Sequence, residues 1–403
     1  MSFLMRCLFG LVFVFLVGCK DTSPAKVTKR APAPAITEED KASVMELGVE
    51  IEKRLLEGDL DYFLDTFDLE ELIFESFEEV DLSNDFKQGM SLGLQQARES
   101  MAASLAISQI DFVGYEEVRG YPGLLFRVRT DGGMDYVRYE LRKSSEHLAG
   151  WKIVDSFPLT LGVFVSDLLR ANILPALKDA NRSVFDKLFS NNQKEKVDFE
   201  YFGILMKAIR SSAMPGQEEN ALRLYDSVPE EARQSRIARL ARVFVCSNYL
   251  EDEEGMNRYG EALEDFAKNH PEDPSLSLWL IDTHILSGDF ESAHASVSDL
   301  QKAIPDRYLE FYKGFINLHE EKYEEAERRA EVFIQSDPDD VEGYELLLEV
   351  GFGKNEHALT ARALRVLEGD FQNDYSGVFE LPEWEDFRTS EEGKKWAEDR
   401  RGE

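Results

Sequence analysis

The sequence predicts an α+β domain followed by an all-α solenoid, and three observations carry that prediction. Between Ile107 and Phe157 hydropathy alternates with period two, as in half-buried strands. From Ser166 onward it follows the 3.6-residue period of helices. Within that helical part, alanines and prolines recur 33 residues apart, the mark of a stacked repeat. The chain has 403 residues, enough for roughly two or three domains.

The first 18 residues stand apart from this pattern. Arg6 is the one charge before Cys19, and Leu8 to Gly18 form the apolar run LFGLVFVFLVG. A helix of that length falls short of a ~30 Å hydrocarbon core and has the length of a signal-peptide core. The run closes on Leu16-Val17-Gly18-Cys19, which resembles the lipobox of bacterial lipoproteins. The resemblance implies removal of residues 1–18, a diacylglycerol on the Cys19 sulfur, and a fatty acid such as palmitate on its new amine. Several acyl chains anchor stably, since each buried CH₂ adds ~0.8 kcal/mol. In that family an Asp after the Cys favours inner-membrane retention. Lys20 stands there instead, which points to the outer membrane and a periplasm-facing protein.

Residues 19–37 then read as a lipidated tether. KDTSPAKVTKRAPAPAIT has no aromatic residue and carries Ser23, Pro32, Pro34 and several lysines. Cysteine usage fits export without a disulfide framework: Cys7 leaves with the signal, Cys19 is lipidated and Cys246 is alone in the apolar run ARVFVCSNYL, where it reads as a buried small hydrophobe. The formal net charge of −33 repels phosphates and excludes nucleic acid as a partner. It also leaves attachment to a membrane to the lipid.

Residues 38–165 form the predicted α+β domain. EEDKASVMELGVEIEKRLLEG, LEELIFESFEEV and NDFKQGMSLGLQQARESMAASLA keep helical period, and ISQIDFVGYEEV, LLFRVRT, MDYVRYELRK and WKIVDSF read as strands. A turn at Asp131-Gly132-Gly133-Met134, centred on the glycine pair, predicts a hairpin with Arg127 opposite Arg138 and Phe126 opposite Tyr139. One face then carries Phe126, Val128, Val137, Tyr139 and Leu141. The other carries Leu125, Arg127, Arg129, Tyr136, Arg138 and Glu140. Helices followed by an antiparallel meander ending in GWKIVDSF resemble the NTF2-like fold, which implies a cone with an apolar interior.

After connecting helices at 166–197, residues 198–370 read as helical repeats. Gly288-Asp289-Phe290 with Ala293, and Lys322-Tyr323 with Ala326, share a pattern. Ala293 to Ala326 and Pro305 to Pro338 are both 33 residues apart, and Gly314 precedes Ala326 by twelve. This resembles the tetratricopeptide repeat, with helix pairs at about 274–304, 307–337 and 341–368 and earlier pairs at about 198–230 and 235–270. Two departures stand out. Ile281 takes a small-residue position, and the third pair has Gly351 and Gly353 in place of a Gly-Asp-Tyr turn. Residues 371–403 are predicted to cap the array, with a capping box Thr389-x-x-Glu392 ahead of a helix carrying Trp396.

No metal or cofactor motif is present. The histidines at 147, 270, 284, 294, 319 and 357 form no ligand spacing, and there is no nucleophile elbow, phosphate loop or dinucleotide fingerprint. The sequence therefore predicts no cofactor and no enzyme. It offers two candidate surfaces. Arg127, Arg129 and Arg138 on one sheet face read either as a solvated face balanced by Glu140 or as a docking surface. With Arg307 at position 1, the tetratricopeptide resemblance places Tyr308, Phe311, Phe315, Leu318 and His319 along a binding groove, with Asp282 before them and Glu342, Glu345 and Glu349 after. This helix has only one apolar stripe, so the same aromatics read more readily as core, with the register shifted by one or two. A groove of this kind implies a protein or peptide partner, basic or apolar. Two other functions stay open. One is a small-molecule binder or isomerising or hydrolytic enzyme using the cone, with Asp155 and Tyr139 on its apolar face. The other is an outer-membrane assembly factor.

Overall fold

The computed structural model describes residues 35–77, 109–170 without 131, 132, 146 and 148, 193–250, 253–379 and 381–401. The lipobox, most of the tether and the helix expected over 84–106 lie outside these residues. A four-stranded antiparallel sheet is followed by an all-helical C-terminal part. The chain divides into two compact units, Met1–Leu276 and Ser277–Glu403. Among the described residues no helix is long and apolar enough to cross a membrane.

In the first unit, helix α1 (Glu38–Leu56) starts at a reciprocal cap. Thr37 Oγ1 accepts from the Asp40 amide at 3.1 Å, and the Asp40 carboxylate accepts from the Thr37 amide at 3.0 Å. Val44, Leu47, Gly48 and Ile51 form its buried stripe. Short helices α2 (Leu60–Asp65) and α3 (Leu69–Phe77) follow. The sheet is a meander of β1 (Gln109–Val118), β2 (Tyr121–Thr130), β3 (Gly133–Lys143) and β4 (Trp151–Pro158). Helix α1 lies against β1 and β2, so close that a Cβ on Gly48 would stand 2.5 Å from the Phe112 ring. The outer edge of β4 is covered by the stretch between α2 and α3. The Asp68 amide donates to the Ile153 carbonyl at 2.8 Å, and the Ile153 amide to the Thr66 carbonyl at 2.7 Å. Trp151 of the GWKIVDSF segment donates its indole N–H to Ser43 Oγ at 3.1 Å.

Two details of the sheet correct the sequence reading. The β2–β3 pairing ends on Thr130 opposite Gly133, so Gly133 belongs to β3 and not to the turn centre. Arg127 therefore faces Tyr136, and Phe126 faces Val137. The shift is an even number of residues, so each side chain keeps its expected face. In β4 the parity does change. Leu141 pairs with Ile153 but Glu140 pairs with Asp155, which leaves Val154 as an extra residue in a bulge. Asp155 is thereby turned away from the face of Ile153 and onto the face of Glu140.

After the sheet, the described helices of this unit are α4 (Gln193–Ser212), α5 (Glu218–Asp226), α6 (Glu230–Arg233), α7 (Arg236–Cys246) and α8 (Glu253–Asn269). Helix α7 packs between α4 and α8 and is capped by Ser235. Its first residue, Arg236, joins three segments. The guanidinium pairs with Asp273 at 2.5 and 3.1 Å and donates to the Leu161 carbonyl at 3.1 Å. It passes over Gly162, whose φ is +59° and whose missing Cβ would collide with it. Only glycine satisfies both demands there.

The second unit is built from α9 (Leu276–Ser287), which begins at the unit boundary, α10 (Phe290–Ala303), α11 (Tyr308–His319), α12 (Tyr323–Ser336), α13 (Val341–Gly353) and α14 (His357–Gly369). Gly288, Glu321 and Asn355 each turn the chain with positive φ between the helices of a pair, 33 and 34 residues apart. The amide following each returns to a helical carbonyl five residues back, at 2.9, 2.9 and 2.8 Å. Asn355 is thus the third pair's counterpart of Gly288. Gly351 serves helix packing instead. A Cβ there would stand 2.7 Å from Thr360 Oγ1, so this glycine sets the close approach of α13 and α14. Gly314 does the same between α11 and α12, where a Cβ would stand 3.1 Å from that of Arg329. Ala293 and Ala326 are both fully buried.

The tail continues through α15 (Ser376–Phe379), a 3₁₀ turn at Pro382–Trp384, α16 (Glu385–Thr389) and α17 (Glu391–Arg401). Trp384, Phe387 and Trp396 join the core formed by α12, α13 and α14, which covers the apolar end of the array. The N-cap of α17 is Ser390 rather than Thr389. Ser390 Oγ accepts from the Gly393 amide at 3.0 Å, whereas the Thr389 hydroxyl bonds back to Glu385 and Asp386 carbonyls.

Candidate functional site

The structure takes the two sequence-derived constellations of the α+β domain apart. Tyr139 stays on the apolar face, in edge-to-face contact with Phe63, Phe67 and Phe126 at 5.7–5.8 Å. Phe112 adds a further ring, 5.4 Å from Phe126. Asp155, expected beside Tyr139, is on the other face because of the bulge. It is buried, and it accepts from Ser166 Oγ at 2.5 Å, the Ser166 amide at 3.1 Å, the Ser156 amide at 2.8 Å and Arg119 at 2.6 Å. Burial pushes its carboxyl up, against the pull of Ser166 and Arg119. Asp155 and Tyr139 therefore lie on opposite faces of the sheet.

The arginine face is inside the protein. Arg127 and Arg129 are buried and share Asp111, at 3.0 and 3.3 Å. Arg138 is partly exposed, pairs with Glu116 at 2.5 Å and lies over Phe157. Glu140 does not balance these three. Its carboxylate lies between Arg119, at 2.6 Å, and Arg142. Both faces of β2 are covered, since Tyr121 to Arg129 are buried without a break. Leu159 to Ser166 lie against the polar face, with the Leu159 amide on the Tyr136 carbonyl, Thr160 on Asp135 and Phe164 stacked on Arg119. The face therefore presents neither the solvated surface nor the open docking surface that the sequence allowed.

Arg119 was not singled out by the sequence because its role comes from a turn. Arg119 and Gly120 have φ of +51° and +82°, and they join Val118 to the opposing Tyr121. That is the two-residue loop a right-twisted hairpin prefers. The turn lifts the Arg119 side chain over the sheet to Glu140 and Asp155.

The helical face of the second unit keeps its residues together. Along α11, ring follows ring: Tyr308 to Phe311 at 5.1 Å, Phe311 to Phe315 at 6.1 Å and Phe315 to His319 at 4.3 Å. Burial grades along the row. Tyr308 is buried against Phe333 of α12, Phe311 and Phe315 are half-buried, and His319 is exposed. Phe311 and Leu318 also pack against the core. A polar network lies on the same helix. Lys313 donates to Gln301 at 2.5 Å and to Glu310 at 2.8 Å, while Arg329 also reaches Glu310. Burial pushes the Glu310 carboxyl up, yet these partners hold it at about 2.

Helix α13 lies beside α11 and brings Glu342, Glu345 and Glu349 onto one helix face by their spacing of three and four. The Tyr308 hydroxyl donates to the Glu342 carboxylate. Glu345 and Glu349 are exposed. Burial of its surroundings and the charges of Glu342, Glu349 and Asp340 push the Glu345 carboxyl up. Asp282 of α9 is exposed as well.

One repeated signal escaped the sequence reading. Asp273, Asp306, Asp340 and Asp374 each accept from the amide two residues on, at 3.0, 3.0, 3.0 and 2.8 Å. Their spacing is 33, 34 and 34 residues. Each precedes a helix, so these aspartate turns carry the period through four positions. The fourth falls in the tail, ahead of α15.

Cys246 is free and buried, and burial pushes its thiol up. Among the described residues no three His, Cys, Asp or Glu side chains are grouped to hold a metal. Comparison with known families, with characterised proteins and with solved structures returns no match.

Proposed function

We propose that this chain is a membrane-anchored, periplasm-facing lipoprotein that holds other proteins on a tetratricopeptide-like array, behind an NTF2-like domain that serves as a folded spacer. The observation that carries the reading is the half-buried aromatic row Phe311–Phe315–His319 on a helix pair of 33–34-residue period. A row that is ordered by its own ring contacts, and only partly covered by the core, suits an apolar anchor from a partner. The packing of Tyr139 among Phe63, Phe67 and Phe126 argues against Tyr139 as a ligand-site residue. The anchor is Cys19, attached through a tether that reaches at most about 3.3–3.6 Å per residue. Outer-membrane placement rests on Lys20.

The anchor and the array are tested separately. Wild-type protein should take up radioactive palmitate and fractionate with membranes, and Cys19→Ser should do neither. Label on the Cys19→Ser protein would remove the lipoprotein reading. For the array, membranes bearing the lipidated protein are cross-linked, and the products are compared with those of Phe315→Ala. Loss of a discrete adduct in the variant supports the scaffold reading, and an unchanged pattern removes it.

A further inference from the structure

We infer that the face formed by α11 and α13 selects a cationic amphipathic helix of its partner protein, with apolar side chains on Phe311 and Phe315 and lysine or arginine on Glu345 and Glu349. This rests on the scaffold reading above and specifies its partner.

Acidic and apolar rows lie side by side on adjacent helices. Several acids of the second unit have cations beside them. Glu327 pairs with Lys354 at 2.6 Å, Glu331 with Arg362 at 2.7 Å, and Glu325 with Arg328 and Arg329 at 2.5 and 3.1 Å. Glu310, within the helix layer, has Lys313 and Arg329. Glu345 and Glu349 are exposed, one turn apart, and no cation pairs with either among the described residues. Like charges at that spacing repel one another, so the arrangement is relieved by a cation from elsewhere.

The apolar half of the face runs alongside. Tyr308 and Glu342 touch at the start of α11 and α13, so the aromatic row and the acidic row begin together and continue along neighbouring helices. An amphipathic helix presents apolar and charged stripes about a helix-width apart, which matches two adjacent rows of this kind. The rings add a second attraction for cations, since Phe315 is only partly buried.

The test uses the mature chain with Cys19→Ser, so that no lipid competes for the peptides. Three fluorescent helical peptides are titrated: leucine with lysine, leucine with glutamate, and alanine with lysine. The leucine–lysine peptide should bind and the other two should not. Glu345→Gln with Glu349→Gln should weaken it about tenfold, the worth of two exposed ion pairs. Removing two charges from the tail, Glu383→Gln with Glu385→Gln, controls for overall charge and should leave binding unchanged. Binding of the leucine–glutamate peptide, or equal weakening by both double variants, would overturn the inference. Phe315→Ala separates the two levels. If it weakens binding while the α13 double variant does not, the face remains a docking site without this selectivity. If neither matters, both readings fall.

Discussion

The Tyr308 hydroxyl donates to the carboxylate of Glu342, a residue 34 positions further along the chain. The two hold the same place in consecutive helix pairs, two residues beyond the turn aspartates Asp306 and Asp340. A contact between equivalent positions is what stacking at a constant period produces. Here it also joins the aromatic row of α11 to the acidic row of α13.

The graded burial of that row predicts graded stability effects. Phe311 packs on the core while keeping an exposed edge, so Phe311→Ala should cost about 2 kcal/mol, less than the roughly 3–5 kcal/mol of a fully buried ring. Phe315→Ala should cost under about 1 kcal/mol by the same argument. Urea unfolding of the two variants checks the order. Equal losses would mean that Phe315 is core.

Arg119 stands between two buried carboxylates, Glu140 and Asp155. Arg119→Met keeps the packing on Phe164 and leaves both acids without this cation. Loss of one side of a buried ion cluster costs about 3 kcal/mol or more. The variant should regain stability on acidification, as the two carboxyls take up protons. A variant as stable as wild type at neutral pH would show the cluster to be solvated.

Asp135 gives a pH signature of known sign. It is buried, and burial pushes its carboxyl up to about 6, even though Thr160 and the amides of Thr160, Tyr136 and Leu159 bond to it. The unfolded chain ionises near 3.8, so the folded state holds its proton more tightly. The contribution is complete below about pH 4 and is lost as pH rises through about 6, on the order of 3 kcal/mol in all. Asp135→Asn should remove that slope. The measurement is the difference in unfolding free energy between variant and wild type from about pH 4 to about pH 7. A flat difference would refute the assignment.

Gly162 is held at positive φ under the Arg236 guanidinium. Gly162→Ala should disturb the Arg236–Asp273–Leu161 junction and destabilise by at least about 1 kcal/mol. Hydrogen exchange should rise at the start of α7 and remain unchanged in β1–β3. Exchange that rises throughout the sheet would mean the junction is part of the sheet's own folding unit.

The helix pairs were legible because buried alanines and helix-ending prolines repeat in one dimension, and periodicity survives in sequence. The turn residues were only partly legible. Gly288, Glu321 and Asn355 share one backbone conformation, but only glycine announces it. The turn aspartates Asp273, Asp306, Asp340 and Asp374 were readable in principle. In a chain this acidic, four aspartates at one spacing do not stand out from the rest. The candidate pair Asp155 and Tyr139 failed because one bulge residue, Val154, reverses the parity of a strand, and alternation alone carries no record of it. The arginines of β2 misled for a related reason. Charge on alternate strand positions signals a wet face, whereas Arg127 and Arg129 are buried with Asp111.

The most direct test of the scaffold proposal is photo-cross-linking from α11 in intact cells. A photoreactive side chain is placed at 315, and in a control at Glu324, which is exposed on α12. The expected result is a discrete protein adduct from position 315, reduced when Glu345→Gln and Glu349→Gln are added, and none from position 324. Equal adducts from both positions, or none from 315 while the protein is lipidated and folded, would contradict it.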